Sequence, residues 1–432
     1  MKVLFIYPRF QRHAEAHPEL RKWVPMNEYL GSPSLGLSMM AAMTPDSWTY
    51  EFRDDRLSPA DFPTDADLVA FSFFTPAATR AMELAKYFRA QGKQTVCGGI
   101  FPTMMPDECA PHFDAVVVGE GEPVWPQVLS DAAKRQLQPR YKACEIQALE
   151  NVPLPRVDMY LAKEAKGVFE PDDYPAQLSR GCPMTCDACV LPTSMTRKMR
   201  DFPLAHIVGQ LEQLNRAGKR ACLTEDTSWF PGHATKRLKL LFEAITSNGA
   251  PANISYIGIS MPMILTTTRA TFELAKRAGV NMFYLVGGFD PVTRGAFTGK
   301  NPRAYQQAVD AIAKSYDVGI EPYTSFLLGN EDDDLGTVDR MLEFCAHAGV
   351  RKAEFAIFTP YPGTPSWHRM VKEERIIDRT WSHYNDANAV FRPKHMTPEQ
   401  LTEGYLRLWR EFYSDKAHYA GSMSKAERTI QF

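Results

Sequence analysis

The chain has 432 residues and a net charge of −2, with 44% hydrophobic and 23% charged residues, which is ordinary for a soluble globular protein. This length predicts two or three domains, because a domain typically spans about 100–200 residues. The small net charge gives no electrostatic basis for binding nucleic acid or an anionic membrane, so neither is expected as a partner. No apolar run approaches the ~20 residues that a membrane-spanning helix requires.

Residues 1–145 alternate short apolar runs with helical stretches, which predicts a Rossmann-like, doubly wound parallel sheet in an α/β fold. The apolar run at the N-terminus has no small-residue cleavage site after it, which favours a strand over a signal peptide. Glycines follow two of the strands, where sheets of this class bind ligands. The predicted strands are residues 3–7, 68–72, 95–97 and 115–118, and the predicted helices are residues 35–43 and 77–90.

The alternation of strands and helices stops at a segment rich in proline and polar residues, 146–172, which predicts a linker with some structure of its own. It resumes over residues 173–370, where glycines such as Gly349 end helices before an apolar strand. The final segment, 371–432, carries one predicted helix, residues 398–413, and is expected to form a small helical cap. Six predicted barrel strands fit a partial (β/α)6 TIM barrel: residues 176–178, 221–223, 254–259, 282–286, 321–328 and 353–358.

Three cysteines, Cys182, Cys186 and Cys189, share the spacing C-x3-C-x2-C on a loop after the first predicted barrel strand. Thiolates in such a group suit an iron–sulfur cluster or zinc. No fourth Cys or His follows closely to complete a structural zinc site, whereas a [4Fe–4S] cluster with three cysteines keeps one iron open. A zinc knuckle and a chance group of buried thiols are the alternatives. The remaining cysteines are too sparse for a disulfide scaffold, so we expect a reducing, cytoplasmic compartment.

The cysteine spacing resembles the signature of the radical S-adenosylmethionine (SAM) superfamily, in which SAM binds the open iron of the cluster. The resemblance implies that the three cysteines are metal ligands and that Glu225 and Asp226 accept hydrogen bonds from the SAM ammonium group. A polar loop that caps the next helix is the alternative for these two residues. Phe289 stands where the family commonly has a ribose-binding glutamate, so Asp290 is the candidate for ribose contact. Arg180 is expected either to balance the cluster charge or to be a solvated cation.

The N-terminal glycine motifs resemble those of cobalamin (B12)-binding modules that are attached to radical SAM cores. Glycines allow backbone to approach a large flat ligand without a clashing side chain. The family's D-x-H-x-x-G motif is missing, and His13 and His17 lack its context and are expected at the surface. Cobalamin is therefore expected in the base-off form without a protein histidine ligand, and a domain that has lost the cofactor is the alternative. The resemblance implies these cofactor-binding residues: Ser72, Gly98, Gly99, Gly119 and Glu120.

Together the two resemblances imply a class B radical SAM methylase-like enzyme, which cleaves SAM reductively at a [4Fe–4S] cluster to functionalise an unactivated carbon. Cobalamin-dependent methyl transfer to a small-molecule substrate is the favoured outcome, with an external one-electron reductant such as flavodoxin or ferredoxin. The alternatives are cyclisation, ring rearrangement, hydroxylation or transfer of another SAM fragment, and, from another class, a non-catalytic cobalamin or redox sensor. The cluster and the cobalamin are expected to bind in separate domains.

Overall fold

The computed structural model describes residues 1–23, 33–144, 146–164, 173–224, 231–247, 252–285 and 291–414. The strands are β1 (Lys2–Tyr7), β2 (Thr49–Asp54), β3 (Leu68–Ser72), β4 (Gln94–Gly98), β5 (Ala115–Val118), β6 (Arg140–Lys142), β7 (Asp173–Gln177), β8 (Ser179–Arg180), β9 (Arg200–Asp201), β10 (Arg220–Thr224), β11 (Ile254–Ile259), β12 (Met282–Leu285), β13 (Glu321–Leu328) and β14 (Lys352–Ile357).

The helices of the first half of the chain are α1 (His13–Ala16), α2 (Leu35–Ala42), α3 (Ala78–Ala90), α4 (Ile100–Met104), α5 (Pro106–Cys109), α6 (Trp125–Ala133), α7 (Asp158–Glu164), α8 (Leu191–Ser194) and α9 (Leu204–Arg216). Those of the second half are α10 (Pro231–Ser247), α11 (Met261–Thr266), α12 (Arg269–Arg277), α13 (Pro291–Phe297), α14 (Pro302–Asp317), α15 (Thr337–Ala348), α16 (Pro365–Lys372) and α17 (Pro398–Ser414). Short 3-10 helices span Pro18–Lys22, Thr75–Ala77 and Trp381–His383.

The first sheet is parallel throughout and has the strand order β2-β1-β3-β4-β5-β6. Its direction of winding reverses between β1 and β3, and the carboxyl ends of strands beside such a switch point border a ligand crevice. The central strands are apolar because both faces are covered, as the fully buried Phe5 and Leu68 show. The Rossmann-like sheet that the sequence predicts is confirmed, with two further strands, β2 and β6, at its edges.

These two edge strands escape sequence analysis because their residues are mostly polar or charged. In β2 apolar and charged residues alternate, and the buried Arg53 is satisfied by the Glu51 carboxylate at 2.9 Å and by three backbone carbonyls. In β6 only Tyr141 is buried, between the exposed Arg140 and Lys142. Neither strand therefore carries the continuous apolar run from which the four inner strands are predicted.

The second sheet is also parallel and has its strands in chain order, β7-β10-β11-β12-β13-β14. Each of the six predicted barrel strands is present within the described part of the chain, and β7 and β14 form the two edges there. The sheet is thus an incomplete barrel, as predicted. A separate antiparallel pair, β8 and β9, stands after the first barrel strand. The boundaries of the domains stay a prediction.

The C-terminal helix α17 joins the barrel to the first domain. Its Trp409 donates a hydrogen bond to the Phe355 carbonyl on β14 at 3.1 Å, while its Tyr405 hydroxyl lies 2.8 Å from Nδ1 of His13. His13 is only 4% exposed, so the expectation that it lies at the surface is wrong. The sequence does not show this contact because the two residues are 392 positions apart. His17 is half-buried, and its Nε2 contacts the Ala387 carbonyl at 2.7 Å.

Burial of His13 generates a prediction about stability and pH. Burial lowers the pKa of His13 from 6.5 to about 4, so the folded state stays unprotonated where the unfolded chain takes up a proton. The contribution of neutral His13 to the free energy of unfolding is therefore fully present above pH 6.5. It decreases by about 2–3 kcal/mol as the pH falls from 6.5 towards 4. We expect His13→Gln to lower the free energy of unfolding at pH 7 and to make it depend less on pH between 6.5 and 4.

The measurement is the urea midpoint of the wild type and of His13→Gln at several pH values between 7 and 4, with His368→Gln as the control on an exposed histidine. The control should follow the wild-type pH profile. Parallel pH profiles for the wild type and His13→Gln would contradict the assignment.

Candidate cofactor site

A cavity of about 310 Å³ opens at the carboxyl ends of the central strands of the first sheet. Its walls are mainly apolar, and its volume lies at the lower end of the range for ligand sites. It is bordered by the strand ends at Tyr7, Ser72 and Gly98, on both sides of the switch point. The structure therefore brings together all the residues that the resemblance implies for cobalamin: Ser72, Gly98, Gly99, Gly119 and Glu120.

The glycine turns of this cavity have backbone that other residues would not adopt easily. Gly99 has a φ of +102°, and a Cβ there would lie 2.8 Å from the Phe73 carbonyl oxygen. Gly119 has a φ of +85°, and a Cβ there would point into open space. Thr103 ties the two turns together, since its Oγ1 donates to the Gly99 carbonyl at 2.7 Å and accepts from the Gly119 amide at 3.0 Å. The walls thus fit a cofactor that is held by close approach of backbone.

One wall of the cavity comes from the barrel domain. Gln177 and Arg180 precede the cysteine motif, Ser194 and Met195 follow it, and all four line the same cavity. Cobalamin and the cluster are expected to bind in separate domains, and the segment around the cysteines contributes one wall to the cavity of the first sheet. The carboxyl end of β7, at Gln177, thus lies across the cavity from the strand ends of the first sheet.

The cysteine loop, residues 181–199, is closed at its base by the β8–β9 pair. The Cys182 amide donates to the Thr196 carbonyl at 3.1 Å, and Gly181 has a φ of +85° with its Cβ position 2.3 Å from the Lys198 carbonyl oxygen. A side chain at position 181 would therefore push the two arms of the loop apart. Cys182 is buried, Cys186 and Cys189 are half-buried, and none of the three is in a disulfide.

The far side of the cysteine loop is anchored by α16. The Ser366 amide in the first turn of this helix donates to the Asp187 carbonyl at 2.9 Å, and Arg369 pairs with the Asp187 carboxylate at 2.7 Å. The turn before α16 packs on the first domain, because a Cβ at Gly363 would lie 2.8 Å from Cε of Met104. The loop is thus held between the two domains.

The donor set of this loop fits an iron–sulfur cluster in kind and in number. Across the ranges that the structure describes, no three Cys, His, Asp or Glu side chains are arranged to hold a single metal ion. A [4Fe–4S] cluster binds each cysteine through a different iron, so its ligands stay farther apart than those of one zinc ion. Three thiols on one anchored loop provide the ligand chemistry that such a cluster uses.

Two arginines and two glutamates form a buried ion-pair network between the cavity and the cysteine loop. Arg180 contacts the Glu122 carboxylate at 2.7 Å and the Glu120 carboxylate at 3.5 Å, and Arg200 binds both oxygens of Glu120 at 2.7 and 2.8 Å. Each of the four side chains is at most 10% exposed. Burial would lower the pKa of Arg180, but the charges of Glu122 and Glu120 outweigh it and raise that pKa above its ordinary value.

Arg180 is therefore neither a solvated cation nor a free countercharge for a cluster. Arg200 has no motif of its own and is not predicted from the sequence as a site residue. The sequence indicates such a residue only through the two glutamates of the glycine motif, because buried carboxylates require positively charged partners. Lys198, next to β9, is exposed.

Three of the predicted site residues, Glu225, Asp226 and Asp290, lie outside the described residues. Thr224, the last residue of β10, pairs in register with Gln177 on β7. Because Gln177 lines the cavity, the carboxyl end of β10 stands next to the cavity wall.

The barrel interior carries a buried acid among hydroxyl groups. The Glu354 carboxylate on β14 accepts hydrogen bonds from the Tyr284 hydroxyl and, at 2.9 Å, from Ser325. Burial and the Glu354 charge raise the pKa of Tyr284 well above its ordinary value, so the phenol stays a donor. At the carboxyl end of β14 the Asp386 carbonyl accepts from the Ile357 amide at 2.6 Å, which places the C-terminal segment at the barrel mouth.

None of the helices in the described part of the chain is both long and apolar enough to cross a membrane.

Comparison with known proteins identifies the first domain and the architecture. A family model described as the B12 binding domain matches residues 30–129, and a domain of unknown function, DUF4070, matches residues 364–429. The bacteriochlorophyllide d C-12(1)-methyltransferase of Chlorobaculum tepidum is 27% identical over 403 residues, which cover 89% of this chain and 84% of that protein.

Two solved structures have the same fold. The radical S-adenosylmethionine methyltransferase TsrM from Kitasatospora setae, solved with cobalamin and a [4Fe–4S] cluster bound, matches with a TM-score of 0.66 and 14% identity over 96% of this chain and 89% of TsrM. The cobalamin-dependent S-adenosylmethionine radical enzyme OxsB, solved with aqua-cobalamin bound, matches with a TM-score of 0.69 and 13% identity over 95% and 67% of the two chains. The B12-binding domain inferred from the N-terminal glycine motifs is therefore confirmed, and the chain has the fold of these cobalamin-binding radical SAM enzymes.

Proposed function

We propose that this chain is a radical SAM enzyme that transfers a methyl group to an unactivated carbon of a small molecule, using a [4Fe–4S] cluster, SAM and cobalamin. The observation that carries the proposal is the shared cavity, in which glycine turns of the B12-binding domain face the segment that holds the three cysteines. The relatives and structural neighbours whose names include methyltransferase support methyl transfer over the other outcomes.

The residues of this chain would bind the cofactors and hold them in place. Cys182, Cys186 and Cys189 would hold the cluster, and the glycine turns would hold cobalamin by backbone approach. When bound, the cluster supplies the electron that cleaves SAM, and cobalamin carries the methyl group. No histidine is among the described residues that line the cavity, which supports a base-off cofactor without a protein nitrogen ligand. Glu225 and Asp226 for the SAM ammonium group, and Asp290 for the ribose, remain part of the proposal.

The alternatives are separated by specific features. A domain that had lost its cofactor would be free to fill the space in front of Gly119, but that space is open. A sensor without catalysis would not need the cysteine loop to close the cofactor cavity. Cyclisation, ring rearrangement and hydroxylation use the same site and are separated from methyl transfer only by the product. An external one-electron reductant, flavodoxin or ferredoxin, and a cytoplasmic location complete the proposal.

Removal of the three cysteines tests the cluster. Anaerobic reconstitution should give about four iron and four sulfide ions per chain, with broad absorption near ~400 nm. The triple variant Cys182→Ala/Cys186→Ala/Cys189→Ala should lose both, because no other cysteine replaces these ligands. The control variant Cys109→Ala/Cys144→Ala/Cys345→Ala should keep the full iron content. Iron and sulfide retained in the first variant would contradict the assignment.

Cleavage of SAM separates an enzyme from a sensor. With dithionite, the cluster-loaded chain should consume SAM and release a nucleoside product, and without reductant it should not. The measurement is chromatography of 5′-deoxyadenosine and S-adenosylhomocysteine, with the triple cysteine variant as the control. No nucleoside product from a chain with full iron content, tested with and without hydroxocobalamin, would favour the sensor.

Filling the cavity tests cobalamin binding. Gly119→Val places a side chain in the open space beside the cavity, and we expect the affinity for hydroxocobalamin to fall at least about 10-fold, or 1.4 kcal/mol. Gly92→Val is the matched control, because Gly92 has a similar φ of +73° and equally open surroundings but lies outside the cavity wall. The measurement is an absorbance titration, in which bound cobalamin should show a base-off spectrum.

Both glycine variants should keep the iron content of the wild type. Equal affinities of Gly119→Val and Gly92→Val would place the cofactor elsewhere. A wild-type chain with a cluster that takes up no cobalamin at micromolar concentration would show that the domain has lost its cofactor, and methyl transfer in its cobalamin-dependent form would be excluded.

A further inference from the structure

The buried ion pairs connect the wall of the cavity to both ends of the cysteine loop. Glu120 and Glu122 belong to the loop after β5 and line the cavity, whereas Arg180 lies two positions before Cys182, and Arg200 is in β9 at the other end of the cysteine loop. The loop after β5 thus holds both ends of the cysteine loop through charged hydrogen bonds, which are stronger and more directional than neutral ones.

Further hydrogen bonds connect this network to residues that line the cavity. The Gly119 amide donates to Thr103 Oγ1, which donates to the Gly99 carbonyl, so the residues next to Glu120 are tied to the turn that ends β4. On the barrel side Nε of Arg180 donates to the side-chain carbonyl of Gln177 at 3.0 Å. Each member of this network lines the cavity or is bonded to a residue that lines it.

Because the four charged side chains are buried, their relative positions are tightly constrained. Removing one partner of a buried ion pair is strongly destabilising, because it leaves an unpaired charge. The carboxylates therefore cannot shift without the arginines, and a ligand that orders the loop after β5 also orders the two ends of the cysteine loop. Such coupling between sites must act equally in both directions.

We propose that Arg180 is a positioning residue that links occupancy of the cavity to the order of the cysteine loop, through its ion pairs with Glu120 and Glu122. The inference rests on the proposed function, because it takes cobalamin as the ligand of the cavity. It assigns to Arg180 a role beyond holding the domains together. Binding of cobalamin orders the loop that carries the cluster, and assembly of the cluster tightens the binding of cobalamin.

The test compares two double variants. Arg180→Met/Glu122→Gln removes both ion pairs of Arg180 without leaving a lone charge, because the Glu120–Arg200 pair remains. Arg80→Met/Asp55→Asn is the matched control, since it removes a 2.8 Å ion pair within the first domain, where the Asp55 side chain is fully buried and neither residue lines the cavity. Arg180→Lys, which keeps the charge but loses the fork of the guanidinium group, serves as a milder third variant.

The first readout is hydrogen exchange of the backbone amides of residues 182–196, with and without hydroxocobalamin. We expect exchange to slow about 10-fold on binding in the wild type and in the control, and to remain unchanged in Arg180→Met/Glu122→Gln. The second readout is the ratio of hydroxocobalamin affinities with and without a reconstituted cluster. It should be about 10 in the wild type and in the control, about 1 in the double variant, and intermediate in Arg180→Lys.

The outcomes separate the inference from the function on which it rests. A wild-type chain that binds hydroxocobalamin with a ratio of 1 overturns the inference and leaves the proposed cofactor in place. A ratio of 10 retained in both Arg180 variants also overturns it, because the coupling would then run elsewhere. If the wild type binds no hydroxocobalamin, the proposed function and the inference fail together. If Arg180→Met/Glu122→Gln does not fold, the ratio in Arg180→Lys decides.

Discussion

The site depends on one constraint, the ion pairs between the loop after β5 and the two ends of the cysteine loop. Parallel strands place the loops that follow them at one edge of the sheet, and here the carboxyl ends of the first sheet and of β7 border one cavity. The interface would bury Glu120 and Glu122 at great cost if Arg180 and Arg200 did not approach from the β8–β9 pair of the barrel domain. The relative position of the two sheets is therefore fixed where the cofactors would meet, and the apolar packing elsewhere has to agree with it.

The features that the sequence predicts well are those that depend on residues close together in the chain. The cysteine motif and the glycine turns after β4 and β5 are local patterns with local physical reasons, and the structure places them as expected at strand ends. The six barrel strands are predicted for the same reason, since each is an apolar run between helices. The edge strand β2 is not, because its Arg53 is satisfied by backbone carbonyls that only the fold brings near.

The contacts that join the domains could not be predicted from one sequence. Glu120 and Arg200 are 80 positions apart, and nothing in either local pattern names the other. The same holds for His13, which looks like a surface residue until the C-terminal helix covers it. The roles of Glu225, Asp226 and Asp290 depend on family resemblance alone. The hydrogen bond from Tyr284 on β12 to Glu354 on β14 joins residues that are 70 positions apart, so it is not apparent from the sequence.

The pairing of His13 with Tyr405 has a consequence for how the protein is made. The two residues are 392 positions apart, and a ribosome adds about 5–20 residues per second, so about 20–80 seconds pass between the synthesis of one and of the other. During that time the first sheet leaves the ribosome with the surface around His13 uncovered. The N-terminal domain is therefore first to be made and last to be finished, and a nascent chain that is released early exposes a surface that the complete protein buries.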